Sequence, residues 1–135
     1  MTSLLNENIK YWQEWIANEK RLSFNTQKSY QRDLYSFLVF LKKHINKPIE
    51  LNDLEYLDSD SITSWFICRI KKGVSHRSNA RSLSSLKSFL SFLVKNKLIK
   101  FSSIKIKLYF ELNSLLVHTT LTISKWNNLG NSLFK

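Results

Sequence analysis

Hydrophobic residues recur at three- and four-residue steps in four stretches of this chain, and each stretch predicts a helix with one apolar side. Over residues 6–19, Ile9, Trp12, Trp15 and Ile16 share a side while Glu7, Lys10 and Glu14 lie elsewhere. The tryptophans read as core anchors. From about residue 26 to 43 the apolar line is Tyr30, Leu34, Phe37, Leu38 and Leu41, with Lys28, Arg32 and Lys42 on the other sides. Ser23 is the first candidate cap for this helix and Asn25 the second. A third stripe, Ile62, Trp65, Phe66, Arg69 and Ile70, is capped by Asp58 or Asp60 and stopped by Gly73. Between the second and third stripes, residues 47–56 read as a connector, and residues 53–57 could make a short turn of their own. Its Glu50, Asp53 and Glu55 have no His or Cys at ligand spacing, so it is not read as a metal site.

The fourth stretch, residues 75–97, organises the rest. Ala80, Leu83, Leu86, Leu90, Leu93 and Val94 form its apolar stripe. Arg77, Arg81, Ser84 and Ser88 repeat at the same spacing on the opposite side, flanked by Ser78, Ser85 and Lys87 and with no carboxylate among them. Such a face suits phosphates. Ser75 is placed to cap it, leaving His76, Arg77 and Ser78 in the first turn, where backbone N–H groups point outward.

Past residue 100 the period changes. Ile104, Ile106, Leu108 and Phe110 alternate with Lys105, Lys107 and Tyr109, which suits an extended strand, and the remainder lacks caps and clear periodicity. The expectation is therefore an all-α protein. Residues 1–100 form a small four- to five-helix bundle centred on Leu34, Phe37, Leu38, Leu41, Phe66, Leu83, Leu86, Leu90 and Leu93, and residues 101–135 form a divergent, irregular or weakly β tail. With only 2 Gly and 1 Pro in 135 residues, the chain lacks the turn residues of a many-stranded sandwich.

Charge sharpens the picture. The formal net charge is +11, and no acidic residue falls between Asp60 and Glu111, whereas Arg69, Lys71, Lys72, Arg77, Arg81, Lys87 and further lysines do. That distribution is the footprint of a polyanion-binding surface, the alternative being a solvated basic face with no specific partner. Cys68, the single cysteine, excludes an intramolecular disulfide and reads as a core residue in a reducing, cytoplasmic setting. No run approaches the ~18 apolar residues of a membrane span. His44, His76 and His118 share no metal spacing, and there is no Gly-rich phosphate loop, so no cofactor or small-molecule ligand is expected.

Two motifs carry a family resemblance. LSFNTQKSYQRDLYSFLVFL, residues 22–41, resembles the LS-x-x-T-x-x-x-Y-x-x-D-L-x-x-F-x-x-F-L pattern of the core-binding domain of XerC/XerD-type tyrosine recombinases, in the phage integrase group. GVSHRSNARSLSSLKSFLSFL, residues 73–93, is similar to that family's G-x-S-x-x-S-x-x-R-x-L-S-x-L-R-x-F-x-x-F-L. The resemblance covers roughly residues 5–100 and implies a SAM-like bundle that closes over duplex DNA, laying two helices across the major groove. Carried over by motif, the candidate contacts are Thr26, Lys28, Ser29 and Arg32 on the first helix, and His76, Arg77, Ser78, Arg81 and Lys87 on the second. For Thr26 the alternative role is capping; for Arg32 it is pairing with a nearby acid.

The family's chemistry needs two arginines, a lysine, histidines and a nucleophilic tyrosine to neutralise, protonate and accept the scissile phosphate. This chain has no arginine after Arg81, and Tyr109 is its only tyrosine beyond Tyr56. The Asn-Pro that usually follows the bundle is also missing. The expectation is a non-catalytic, DNA-binding domain of a recombinase cut off before its catalytic domain, its tail consistent with a frameshift. Two alternatives stand beside it: an interaction module that binds an intact recombinase through the first helix, and a gene relic without function.

Overall fold

The computed structural model describes residues 2–100, and these form five helices: α1 (Ser3–Asn18), α2 (Phe24–Ile45), α3 (Leu51–Glu55), α4 (Ser59–Lys71) and α5 (His76–Lys95). The expected tail conformation lies outside the described residues. Each long helix starts where a short polar side chain can accept an otherwise orphaned backbone N–H. Thr2 accepts from Leu5, Ser23 from Thr26, Asp58 from Ser61 and Ser75 from Ser78. The ambiguous caps thus resolve to Ser23 and Asp58, and α1 begins three residues earlier than its apolar stripe suggests.

α4 ends as its glycine implied. Gly73 adopts φ 85°, its N–H donates to the Ile70 carbonyl at 3.0 Å, and the Val74 N–H donates to that of Arg69 at 3.0 Å. This Schellman pair turns the chain directly into α5. The same pair closes α5, from Lys97 to Val94 and from Leu98 to Leu93, but there the left-handed residue is Lys97 at φ 57°.

α2 and α5 make the most extensive helix contact and form the spine of the bundle. All nine expected core residues are buried, together with Leu5, Trp12, Ile16, Ile49, Leu54, Ile62, Trp65, Phe89 and Phe92. Burying each large side chain contributes about 1.5–3 kcal/mol. Edge-on aromatic pairs lock the layers: Trp12 on Phe89 across α1 and α5, and Phe37 on Trp65 across α2 and α4, with centroids 5.5 and 5.0 Å apart.

Two expectations are corrected. Ala80 is exposed, and the apolar stripe of α5 is completed by Phe89 and Phe92. Cys68 is only half-buried, because it lies at the edge of a groove between α2 and α4. The short turn allowed for within the connector is the helix α3, two residues earlier than residues 53–57, started when Asp53 Oδ2 accepts the Glu50 N–H at 2.9 Å and braced by the Lys47 ammonium at 2.8 Å from Asp53. The connector serves the core as well, since Ile49 and Leu54 are buried.

Candidate nucleic-acid interface

The basic face of α5 is built on a seam with α2, and hydrogen bonds fix how the two helices run. Ser85 Oγ donates to the Tyr30 carbonyl at 2.7 Å. Arg81 Nε donates to Asp33 Oδ2 at 2.8 Å, with Nη2 3.4 Å from Oδ1. Arg69, from α4, bridges Asn79 and Ser36. Residue numbers rise along α2 as they fall along α5, so the helices are antiparallel here. The first turn of α5 consequently lies beside the middle of α2, and not beside Thr26.

This register sorts the candidate residues. Arg77 is exposed, one turn from Arg81 on the outer side of α5. Arg32 is exposed on α2 next to Asp33. Thr26, Lys28 and Ser29 lie nearer the N-terminus of α2. Thr26 is half-buried and takes the Ser23 hydroxyl at 2.8 Å, so Ser23 is the cap and Thr26 the capped residue. The Lys28 ammonium stands 4.6 Å over the exposed Phe24 ring. His76 opens α5 half-buried, and Ser78 shares a hydroxyl contact with Ser75 at 3.0 Å. Lys87 is half-buried, and burial pulls its ammonium below the usual lysine range.

Two parts of the expected phosphate face are turned to other uses. Ser85 is buried, and Ser88 Oγ accepts the Trp12 indole N–H at 3.1 Å, tying α5 to α1. The face is also not free of carboxylate, because α2 supplies Asp33. Asp33 is 2% exposed, and its bond to Arg81 holds that guanidinium above its ordinary value. Arg81 is therefore anchored by one edge, with the rest of its side chain partly open at 36%.

The pairing of Arg69 with Asn79 has no signal in the sequence. Arg69 sits on an otherwise apolar stripe and resembles a solvated exception. In the fold it lies half-buried over the Trp65 ring at 5.0 Å, with Nε donating to Asn79 Oδ1 at 2.9 Å. Asn79 is buried at a core position of α5, which hydropathy alone disfavours.

A bundle whose two motif helices are antiparallel partners, with arginines along their seam, can be set against known proteins. The family model described as phage integrase, N-terminal SAM-like domain, matches residues 9–97. The chain belongs to that family. Within the phage integrase N-terminal SAM-like family its curated relatives include tyrosine recombinase XerC of Agrobacterium fabrum, 36% identical over 71% of this chain and 30% of that protein. The XerC of Rickettsia prowazekii is 35% identical over 70% of this chain and 31% of its own length. That of Rhizobium meliloti is 37% identical over 64% of this chain and 27% of its own. The chain thus spans about three tenths of the length of these relatives. No solved structure matches it.

Among the described residues no group of His, Cys, Asp and Glu is placed to hold a metal. No described helix is long and apolar enough to cross a membrane.

Proposed function

We propose that this chain is the DNA-gripping domain of a tyrosine recombinase, acting on duplex DNA in the cytoplasm and carrying no strand-cleaving chemistry of its own. The observation that supports this best is the row of arginines along the α2–α5 seam. Arg32 comes from the first motif and Arg77 and Arg81 from the second, onto adjoining helices, and only Asp33 among the described carboxylates bonds to any of them. Arg32 and Arg77 are exposed, and a guanidinium offers a planar fork of donors that suits bidentate contact with a phosphate. Within these 135 residues no arginine follows Arg81, so a charge-neutralised scissile phosphate with a tyrosine acceptor has no residues to form it.

A second reading has its own observation. Leu4 and Tyr11 are exposed on α1, the helix that also carries Glu7 and Glu14, and this surface differs from the basic seam. It suits contact with another protein, for which an intact recombinase is the candidate partner.

Amide chemical-shift mapping with an unlabelled duplex separates the two. The DNA reading expects shifts at Arg32, Arg77, Arg81 and their neighbours and none along residues 4–14. Shifts confined to α1 when an intact recombinase is added, with none when DNA is added, would favour the second reading. On a nicked duplex no covalent protein–DNA adduct is expected; an adduct would contradict the non-catalytic role.

A further inference from the structure

The seam carries more positive charge than its own carboxylate can balance. Asp33 is committed to Arg81 through both of its oxygens. Arg69, on the α4 side, meets only neutral acceptors, Asn79 Oδ1 at 2.9 Å and Ser36 Oγ at 3.5 Å. A guanidinium has five N–H donors, so these two bonds leave it unfilled. Arg32 lies one turn before Ser36 on α2 and adds a third guanidinium. Three cations converge on one buried anion.

The electrostatics agree with the geometry. Burial pulls the Arg69 guanidinium below its ordinary value; Asp33 opposes this, while Arg81 and Arg32 add to it. A half-buried charge in that position is costly to hold, and a second anion relieves it. There is also room for one. Arg69 lies along a groove of about 480 Å³ between α2 and α4, whose lining sets Ser36, Lys43 and Lys72 among aromatic and aliphatic side chains such as Phe40 and Trp65 and includes no carboxylate.

We propose that this groove is a phosphate receptor, with Arg69 at its inner wall and Lys43 and Lys72 beside it, and that it takes a backbone phosphate of duplex DNA. The second half rests on the DNA-gripping function proposed above; the first half does not. The receptor extends the DNA-facing surface from α2 and α5 onto α4, where neither motif places a contact.

The test uses the whole chain and the variant Lys43→Ala/Lys72→Ala, whose two side chains are on exposed residues and leave the Arg69 bonds intact. Arg69→Gln is a companion variant, but it also alters the bond to Asn79, so the lysine pair decides. Thermal midpoints are read in inorganic phosphate and in chloride at matched ionic strength, and duplex affinity is read against salt. The wild type is expected to gain stability in phosphate beyond its gain in chloride, and the lysine variant to lose that excess. The variant's log–log salt slope for duplex should be shallower by the equivalent of about one or two phosphates, at ~0.9 each. No phosphate-specific stabilisation together with an unchanged duplex slope would overturn the receptor. Loss of the phosphate effect with an unchanged slope would assign the groove to a free phosphate and overturn its DNA half. A phosphate effect that depends on the lysines, in a chain that binds no duplex, would sustain the receptor while the DNA-gripping function fell.

Discussion

The seryl hydroxyls of α5 show how one residue type takes opposite roles within a single helix. Ser84, exposed, returns its hydroxyl to the Ala80 carbonyl, whereas Ser88 accepts the indole N–H of the buried Trp12. Ser88→Ala leaves that donor without its acceptor and is expected to cost about 1–3 kcal/mol in urea unfolding, with duplex affinity unchanged. A loss of affinity without a loss of stability would return Ser88 to the phosphate face. Lys97 provides the opposite case, since a left-handed backbone costs a non-glycine residue about 1–2 kcal/mol. Lys97→Gly should therefore stabilise the protein by roughly 0.5–1 kcal/mol once the glycine's extra freedom in the unfolded chain is deducted. An unchanged or lowered midpoint would contradict this. The leucines of α5 were legible in the sequence because their spacing alone decides their direction. Ser82, Ser85 and Asn79 were not. Their polarity argues for the surface, yet Ser82 returns its hydroxyl to the Ser78 carbonyl and Ser85 gives its own to Tyr30, so each is buried and satisfied.

At the scale of elements, starts and stops are more legible than what lies between them. Ser23, Ser75 and Gly73 do what local chemistry requires, because a cap depends on residues three apart and a Schellman turn on a residue that tolerates positive φ. The short α3 shows only as the possible turn over residues 53–57, and the first turn of α1 leaves no trace, since neither has enough turns to show a period. Asp58 makes the capping argument testable by pH. Its side-chain and backbone bonds to Ser61 hold the carboxyl below its usual value, against the opposing effect of burial. A depressed carboxylate contributes stability that is present above its unfolded value, about pH 4, and is lost as pH falls through the lower folded value. Asp53 behaves likewise: burial would raise it, but Lys47 and the Glu50 N–H hold it down. Asparagine caps without titrating, so Asp58→Asn should flatten the loss of stability below about pH 4 while leaving neutral stability nearly unchanged. An acid profile identical to wild type would remove Asp58 from the account.

The whole molecule is where sequence pattern carries least. Asp33 and Arg81 stand 48 residues apart, and nothing in either helix alone predicts that they pair or that α2 and α5 run antiparallel along their contact. The two family motifs located α2 and α5 with Arg32, Arg77 and Arg81; the register between those helices, and the part of Arg69 in joining them, came only with the fold. That register alters how the interface is best probed. Truncating Arg81 would expose a buried carboxylate without its partner and mix folding with binding, whereas Arg32 and Arg77 are exposed and separable. The most direct test of the central claim is the salt dependence of duplex affinity for three proteins: wild type, Arg32→Ala/Arg77→Ala, and a charge-matched control, Lys10→Ala/Lys100→Ala, on exposed positions outside the seam. The seam account predicts steep salt dependence in the wild type, a slope in the arginine pair that is shallower by about 0.9 for each phosphate no longer neutralised, and a control close to wild type. Equal losses from both pairs would mean that net charge alone binds DNA, and wild-type affinity in the arginine pair would mean that the α2–α5 seam does not face it.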